Sequence, residues 1–213
     1  MESYYPINLK IEGRKVLIVG GGRVACRKIE TLLSFKAEVH VISPQVIFEI
    51  EELAGKGIIV LHRREYDKAL LEGSCLVISA TDNSEVNQRV AGDAQRADIP
   101  VNVVDCPELC TFLVPAVIRR GPLTISISTG GKSPAVSAQI RRELENLYGE
   151  EYGLFLTCLG ELRNRLLKEI PDPKKRRELF IKLSDPSLIN LIKGKNSALL
   201  EQKIDEFLKD ITG

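Results

Sequence analysis

Read from the N-terminus, the chain alternates short apolar runs with longer stretches in which Val, Ile, Leu and Ala return every three or four positions. The runs predict strands at Lys15 to Val19, Glu38 to Ile42, Ile58 to Leu61, Cys75 to Ala80 and Val101 to Val104. The stretches between them predict helices at Arg23 to Phe35, Val46 to Lys56 and Ser84 to Ala97. The strands are rich in Val and Ile without a polar alternation, as expected of a parallel sheet covered by helices on both faces. After Cys110 the rhythm changes. Phe112 to Ile118 and Leu123 to Ser128 are β-type runs on either side of Arg119-Arg120-Gly121-Pro122, a hairpin turn.

Ser133-Pro134 opens a helix to about Tyr148, with the serine as N-cap and the proline at the first helical position. Beyond Gly149 the chain reads as helical: Phe155, Leu159, Leu162 and Leu166 form one stripe, Pro171-Asp172-Pro173 breaks it, and Leu199, Leu200, Ile204, Phe207, Leu208 and Ile211 form another. The expected domains are therefore 1–113, 114–149 and 150–213, an α/β nucleotide-binding fold followed by a small α+β unit and a helical domain.

Composition changes this picture little. Of 213 residues, 44% are hydrophobic and 28% charged, which excludes disordered, collagen-like and coiled-coil readings. Lys+Arg 30 against Asp+Glu 29 gives a net charge of +1, so a polyanionic ligand needs a local cluster of charge. The one basic run, Lys174-Lys175-Arg176-Arg177, reads as a solvated helix face, and no nucleic-acid partner is expected. The start of the chain lacks a signal peptide, and the apolar window Ile99 to Ile118 holds Asn102, Asp105, Glu108 and prolines, so a cytoplasmic protein without a membrane span is expected. Cys26, Cys75, Cys106, Cys110 and Cys158 lack CxxC spacing and read as small packed residues. Cys106 and Cys110 lie near each other but have neither His40 nor His62 beside them in sequence, and no metal site is expected.

Candidate chemistry begins at Gly20-Gly21-Gly22-Arg23-Val24-Ala25, a G-x-G-x-x-A sequence between a strand and a helix, which is the context a dinucleotide fingerprint requires. Gly20 permits the tight turn, Gly22 the approach of a pyrophosphate, and Ala25 close packing of helix on strand. The helix N-terminus at Arg23, Val24 and Ala25 faces the anion. The acidic residue that holds the ribose at the end of the second strand of a typical NAD site is missing, because that strand ends Ile42-Ser43-Pro44-Gln45. Ribose contacts then fall to Ser43, Pro44 and Gln45 or to the Arg63-Arg64 pair, which leaves NADP open beside NAD. Thr81 and Asp82, with Asn83, follow the fourth strand, where such folds line the cofactor crevice.

Asp105 ends the fifth predicted strand, at the edge of the sheet where ligands bind. Apolar strand neighbours would raise its pKa toward the range of a general base, and the alternative is a turn-capping role before Pro107. Asn102 is a second polar residue in the run, to be oriented by the cofactor. Ser128-Thr129-Gly130-Gly131-Lys132-Ser133-Pro134 is not a P-loop, since the spacing requires glycine where Ser126 stands. It is nonetheless an anion-binding candidate for a carboxylate, with Thr129, Gly130, Gly131, Lys132 and Ser133 as the contacts.

Together, Val19 to Lys28, Ala80 to Asn83, Asn102 to Asp105 and Ser128 to Pro134 resemble the precorrin-2 dehydrogenase and sirohydrochlorin ferrochelatase family, which includes the N-terminal part of siroheme synthase. The likeness runs over roughly residues 4–150, and the C-terminal helices match in character. It implies a Rossmann-like NAD-binding domain, oxidation of precorrin-2 to sirohydrochlorin with NAD as hydride acceptor, and in bifunctional members insertion of Fe²⁺. Asp105 matches the family's catalytic aspartate. The resemblance also implies that 114–149 is a dimerisation hairpin and helix in a homodimer, and that the C-terminal helices close over the substrate cleft. The acetate and propionate arms of precorrin-2 suit the turn at Thr129 to Ser133, and Arg119, Arg120, Arg141 and Arg142 are further carboxylate candidates. Thr129 stands where some siroheme synthases carry a phosphorylatable serine. With the chain ending at Gly213 there is no room for the methyltransferase domain of full siroheme synthases, so precorrin-2 is expected from another protein. The sequence leaves two alternatives open, a dehydrogenase served by a separate chelatase and a non-catalytic NAD-sensing dimeric regulator.

Overall fold

The computed structural model describes residues 4–185, 188–190, 202 and 206. The chain divides into two units, Met1–Val114 and Pro115–Gly213. The first contains β1 (Lys15–Val19), α1 (Arg23–Ser34), β2 (Glu38–Ile42), α2 (Phe48–Gly55), β3 (Val60–His62), a short 3₁₀ turn (Lys68–Leu71), β4 (Leu76–Ser79), α3 (Ser84–Arg96), β5 (Val101–Val103) and a second 3₁₀ turn (Pro107–Leu109). All five strands are parallel, in the order β3-β2-β1-β4-β5, so the direction of winding reverses between β1 and β4.

The sheet is buried on both faces, as the unalternating strands predict. Val16, Leu17 and Ile18 of β1 are fully buried. Val16 and Ile18 pack with Ala25, Ile29 and Leu32 of α1 and Ile50 of α2, while Leu17 and Val19 pack with Val90, Ala91 and Ala94 of α3. Successive side chains thus enter two separate cores, each buried aliphatic group contributing about 1.5–3 kcal/mol.

Three boundaries shift for local reasons. Helix α2 starts at Phe48, after the expected Val46, because the Ile47 N–H donates to the Gly21 carbonyl and holds the preceding residues against the first loop. Strand β3 starts at Val60, not Ile58, because Gly57 turns at φ +68° and the Ile58 N–H closes the end of α2 on Leu53. Strand β5 stops at Val103, so Val104 and Asp105 belong to the turn that follows.

The second unit contains β6 (Ala116–Arg120), β7 (Leu123–Ile127), α4 (Pro134–Leu147), α5 (Glu150–Glu169) and α6 (Pro173–Leu183). β6 and β7 are antiparallel and joined by Gly121-Pro122, where Gly121 supplies the positive φ of +53° that so short a connection needs. A side chain at Gly153 of α5 would lie 2.8 Å from the Arg120 carbonyl carbon, so the helix crosses the hairpin backbone to backbone. Leu166, Ile170, Leu179 and Leu183 bury α5 against α6. The β-type run expected from Phe112 begins only at Ala116, because the Phe112 carbonyl accepts from Asn102 in the first unit. The expected stripe from Leu199 to Ile211 lies outside the described residues.

On β2 and β3 the His40 and His62 rings stack at 5.5 Å and share a 3.2 Å contact, with Glu38 on the far nitrogen of His40. Partial burial, and after it the repulsion its protonated ring would meet from His40, Arg64 and Lys15, hold the His62 pKa below its ordinary value. The folded state therefore prefers neutral His62, so this contribution to stability is present above about pH 6.5 and is lost as pH falls through the lowered folded-state value. Urea midpoints should drop between about pH 7.5 and 5.5, and drop less in His62→Gln; equal drops would remove His62 from the cause.

Candidate functional site

The reversal of winding between β1 and β4 opens a crevice at the carboxyl ends of the strands. The loop after β1 forms one wall and the loop after β4 the other. Gly20 turns at φ +125°, donates its N–H to the Ile42 carbonyl, and sits so close to the second wall that a Cβ would lie 2.3 Å from the Ala80 carbonyl oxygen. Nothing lies within 4 Å of a Cβ placed on Gly22, and no side chain caps the α1 N-terminus that begins there. The N–H groups of Arg23, Val24 and Ala25 precede the first helical donor, that of Cys26, and face this open volume as an anion cradle. Arg23 is exposed, Val24 half-buried and Ala25 fully buried against the sheet.

Gly21, a variable position in the G-x-G-x-x-A pattern, is as constrained here as Gly20. A Cβ on it would lie 2.1 Å from the Gln45 carbonyl oxygen and 2.9 Å from the Ser43 hydroxyl. The loop after β2 folds over the glycine turn and so requires glycine at position 21, whereas Gly22 faces open space. Within that loop the buried Ser43 donates its hydroxyl proton to the Gln45 carbonyl at 2.6 Å, which leaves the oxygen only as an acceptor for a ribose; Pro44 and Gln45 are exposed. The two arginines offered as alternative ribose contacts are engaged with acids, Arg63 with Glu51 and Arg64 with Asp67 at 3.7 Å.

On the opposite wall Thr81 is half-buried and Asp82 exposed. The Thr81 hydroxyl accepts from the Asn83 N–H, and the Asn83 side chain caps α3 through Glu85 and Val86. Asp105 stands two residues beyond β5 in a left-handed conformation, φ +61°. It is exposed, which corrects the expectation of a carboxylate flanked by apolar strand residues. The turn at Val104-Asp105 lifts it off the sheet. Lys28 of α1 is half-buried and feels its charge. Burial and then Arg27 push the Lys28 pKa down, and the Asp105 charge pulls it back up. Lys28 has no signal in the sequence, because only the fold brings α1 beside the end of β5.

Asn102 is buried, and its amide donates to the Phe112 carbonyl at 3.0 Å and to Cys110 Sγ at 3.5 Å, so it stitches the chain after β5. Cys110 Sγ accepts from the Val103 N–H at 3.1 Å, and burial pushes its thiol pKa up, so it stays protonated and structural. Among the described residues no group of three or more His, Cys, Asp and Glu side chains forms a metal cluster.

In the second unit Gly130 and Gly131 take positive φ values of 61° and 77°, and the half-buried Thr129 hydroxyl bonds both the N–H and the carbonyl of Ser133 at 3.1 Å. Ser133 caps α4 by accepting from the Val136 N–H at 3.3 Å, as expected. Gly130, Gly131 and Lys132 are exposed at the rim of this turn. Of the arginine candidates, Arg120 pairs with Glu150 at 3.2 Å, Arg141 with Glu145, and Arg142 is exposed.

The family described as "Putative NAD(P)-binding" matches residues 7–116, and that described as "Sirohaem biosynthesis protein central" matches residues 120–147. The siroheme synthase of Methylococcus capsulatus is 43% identical over 178 residues, 84% of this chain and 38% of that protein. Siroheme synthase 1 of Aeromonas hydrophila is 36% identical over 98% of this chain and 45% of its own length. The chain thus spans under half of these curated relatives. The solved structure of SirC, precorrin-2 dehydrogenase, superimposes with a TM-score of 0.77 at 29% identity, covering 98% of this chain and 99% of that one.

The contrast between neighbouring glycines is testable by thermal melting. Gly21→Ala forces a methyl group into the Gln45 carbonyl and should cost about 1–3 kcal/mol. Gly22→Ala enters open space and should cost no more than about 1 kcal/mol, for the poorer N-cap, and a loss equal to or above that of Gly21→Ala would contradict the described packing.

Proposed function

Because the chain belongs to the precorrin-2 dehydrogenase and siroheme synthase family, we propose that it oxidises precorrin-2 to sirohydrochlorin with NAD as the acceptor. The observation that carries this reading is the open, uncapped N-terminus of α1 behind Gly20 and Gly22, facing a strand-end crevice whose rim holds Asp105. The residues fit a dinucleotide. Gly22 leaves room for a pyrophosphate, Arg23, Val24 and Ala25 offer N–H donors, and Ser43, Pro44 and Gln45 lie on the ribose side with Thr81 and Asp82 opposite.

Bound NAD supplies a two-electron acceptor that takes hydride from a carbon of the macrocycle. Loss of hydride must be matched by loss of a proton, and the exposed Asp105 carboxylate is the base we assign to accept it. Within the second unit, the exposed donors of Gly130, Gly131 and Lys132 are our candidates for binding a carboxylate, with the Thr129 and Ser133 hydroxyls holding that turn in shape. Fe²⁺, where the product is metallated, is a substrate, and Asp105 offers it a hard oxygen ligand. We also assign the hairpin and α4, with exposed Val136 and Leu147, to a homodimer interface. No helix among the described residues is long and apolar enough to cross a membrane, in keeping with a cytoplasmic enzyme.

The test is anaerobic incubation with freshly generated precorrin-2, following NADH and sirohydrochlorin absorbance, then addition of Fe²⁺. Asp105→Asn should lower the rate of sirohydrochlorin formation about 10²- to 10⁴-fold while leaving the dissociation constant for NADH within about twofold. Unchanged precorrin-2 in the presence of bound NAD would overturn the dehydrogenase and favour the sensing regulator.

A further inference from the structure

Asn87 lies one turn into α3 and is buried, with 6% of its surface exposed, yet it touches neither wall of the crevice with a free group. Its Oδ1 accepts the hydroxyl proton of Ser79 at 2.6 Å, and its Nδ2 donates to the Thr81 carbonyl at 3.0 Å. Ser79 is the last residue of β4 and has no exposed surface.

The position of Ser79 gives this pair its significance. In the sheet register Ser79 stands between Val19 and Val103, the last residues of β1 and β5. The Val104 N–H donates to the Ser79 carbonyl at 2.9 Å, and the Ala80 N–H donates to the Val19 carbonyl at 2.7 Å. One step past Val19 is Gly20, whose Cα abuts the Ala80 carbonyl, and two steps past Val103 is Asp105. The glycine turn, the loop after β4 and the turn bearing Asp105 therefore share one junction, and the Asn87 amide ties that junction to the loop running from Thr81 to Asn83.

Burying two hydrogen-bonded polar side chains in a helix-sheet interface gains little stability over an apolar pair of the same shape. The strict geometry of an amide that accepts from one residue and donates two residues further on instead fixes the direction in which the chain leaves β4. Without the donor, the Thr81 carbonyl is free to turn outward, and the loop follows it away from the glycine turn.

We propose that Asn87 is a positioning residue for the nicotinamide dinucleotide, setting the course of Thr81-Asp82-Asn83 along the wall that faces the glycine turn. This inference rests on the dinucleotide reading given above. It assigns Asn87 no contact with substrate or reacting atoms.

The experiment uses the full chain and two readouts, direct titration with NADH by fluorescence and steady-state kinetics with precorrin-2 and NAD. Asn87→Leu should raise both the NADH dissociation constant and the KM for NAD about tenfold, the equivalent of one net hydrogen bond, with kcat and the KM for precorrin-2 within about twofold. Ser79→Ala leaves the bond to Thr81 in place and should shift NADH binding no more than about threefold. Should Asn87→Leu fail to fold because it strands the Ser79 hydroxyl, the double substitution Ser79→Ala, Asn87→Leu removes that hydroxyl and serves in its place. A folded protein lacking the Asn87 amide that binds NADH within about twofold of the original would overturn the proposal, as would an equal loss in kcat and both KM values, the mark of general damage. Failure of the unsubstituted protein to bind NADH would overturn the dinucleotide reading itself, and the proposal with it.

Discussion

The approach of Gly20 to the Ala80 carbonyl is the constraint on which the nucleotide-binding unit depends. A single methyl group at Gly20 would lie 2.3 Å from that oxygen, inside any real contact distance, so β1 and β4 can end side by side only if the residue after Val19 has no side chain. The φ of +125° at Gly20 makes the same demand through the backbone. Once the two strand ends are that close, α1 must begin immediately beyond them, and its uncapped N–H groups point into the space between the walls. A capping side chain on residue 22 would satisfy those groups and fill the space before them, which glycine leaves open.

The remaining parts of the crevice are held by polar atoms spent inward. Ser43 donates within its own loop, Asn102 holds Phe112, Asn87 joins Ser79 to Thr81, and no buried side-chain nitrogen or oxygen among the described residues lacks a partner. Exposed along the crevice are Arg23 at the open α1 terminus, Pro44 and Gln45, Asp82, and Asp105.

The second unit obeys a related rule. Gly121 and Gly153 let the hairpin and α5 meet backbone to backbone, and Gly130 and Gly131 turn the chain into α4, so small residues again mark where the chain must come close or reverse. In its hydroxyl-rich turn Thr129 bonds both the N–H and the carbonyl of Ser133, and Gly130, Gly131 and Lys132 stay exposed.

Apolar periodicity was enough to place β1, β2, α1, α3 and α4 to within a residue at each end, because strands buried on both faces and helices with one buried stripe leave unmistakable patterns. The glycine turn was legible for the same kind of reason, since its motif lies within one strand-turn-helix segment. Residues whose roles are set by partners far along the chain were not legible. Gly21 must be glycine because the loop after β2 folds over it, Lys28 feels the charge of Asp105 only in the folded chain, and Asn87 bonds Ser79 and Thr81 at a junction made by three strands. The exposure of Asp105 was misjudged, because the strand ends two residues earlier and a left-handed turn carries the carboxylate into solvent. Sequence determines what is local, the period of burial and the chemistry of turns; which side chains meet across fifty or eighty residues is decided only when the sheet closes and packs.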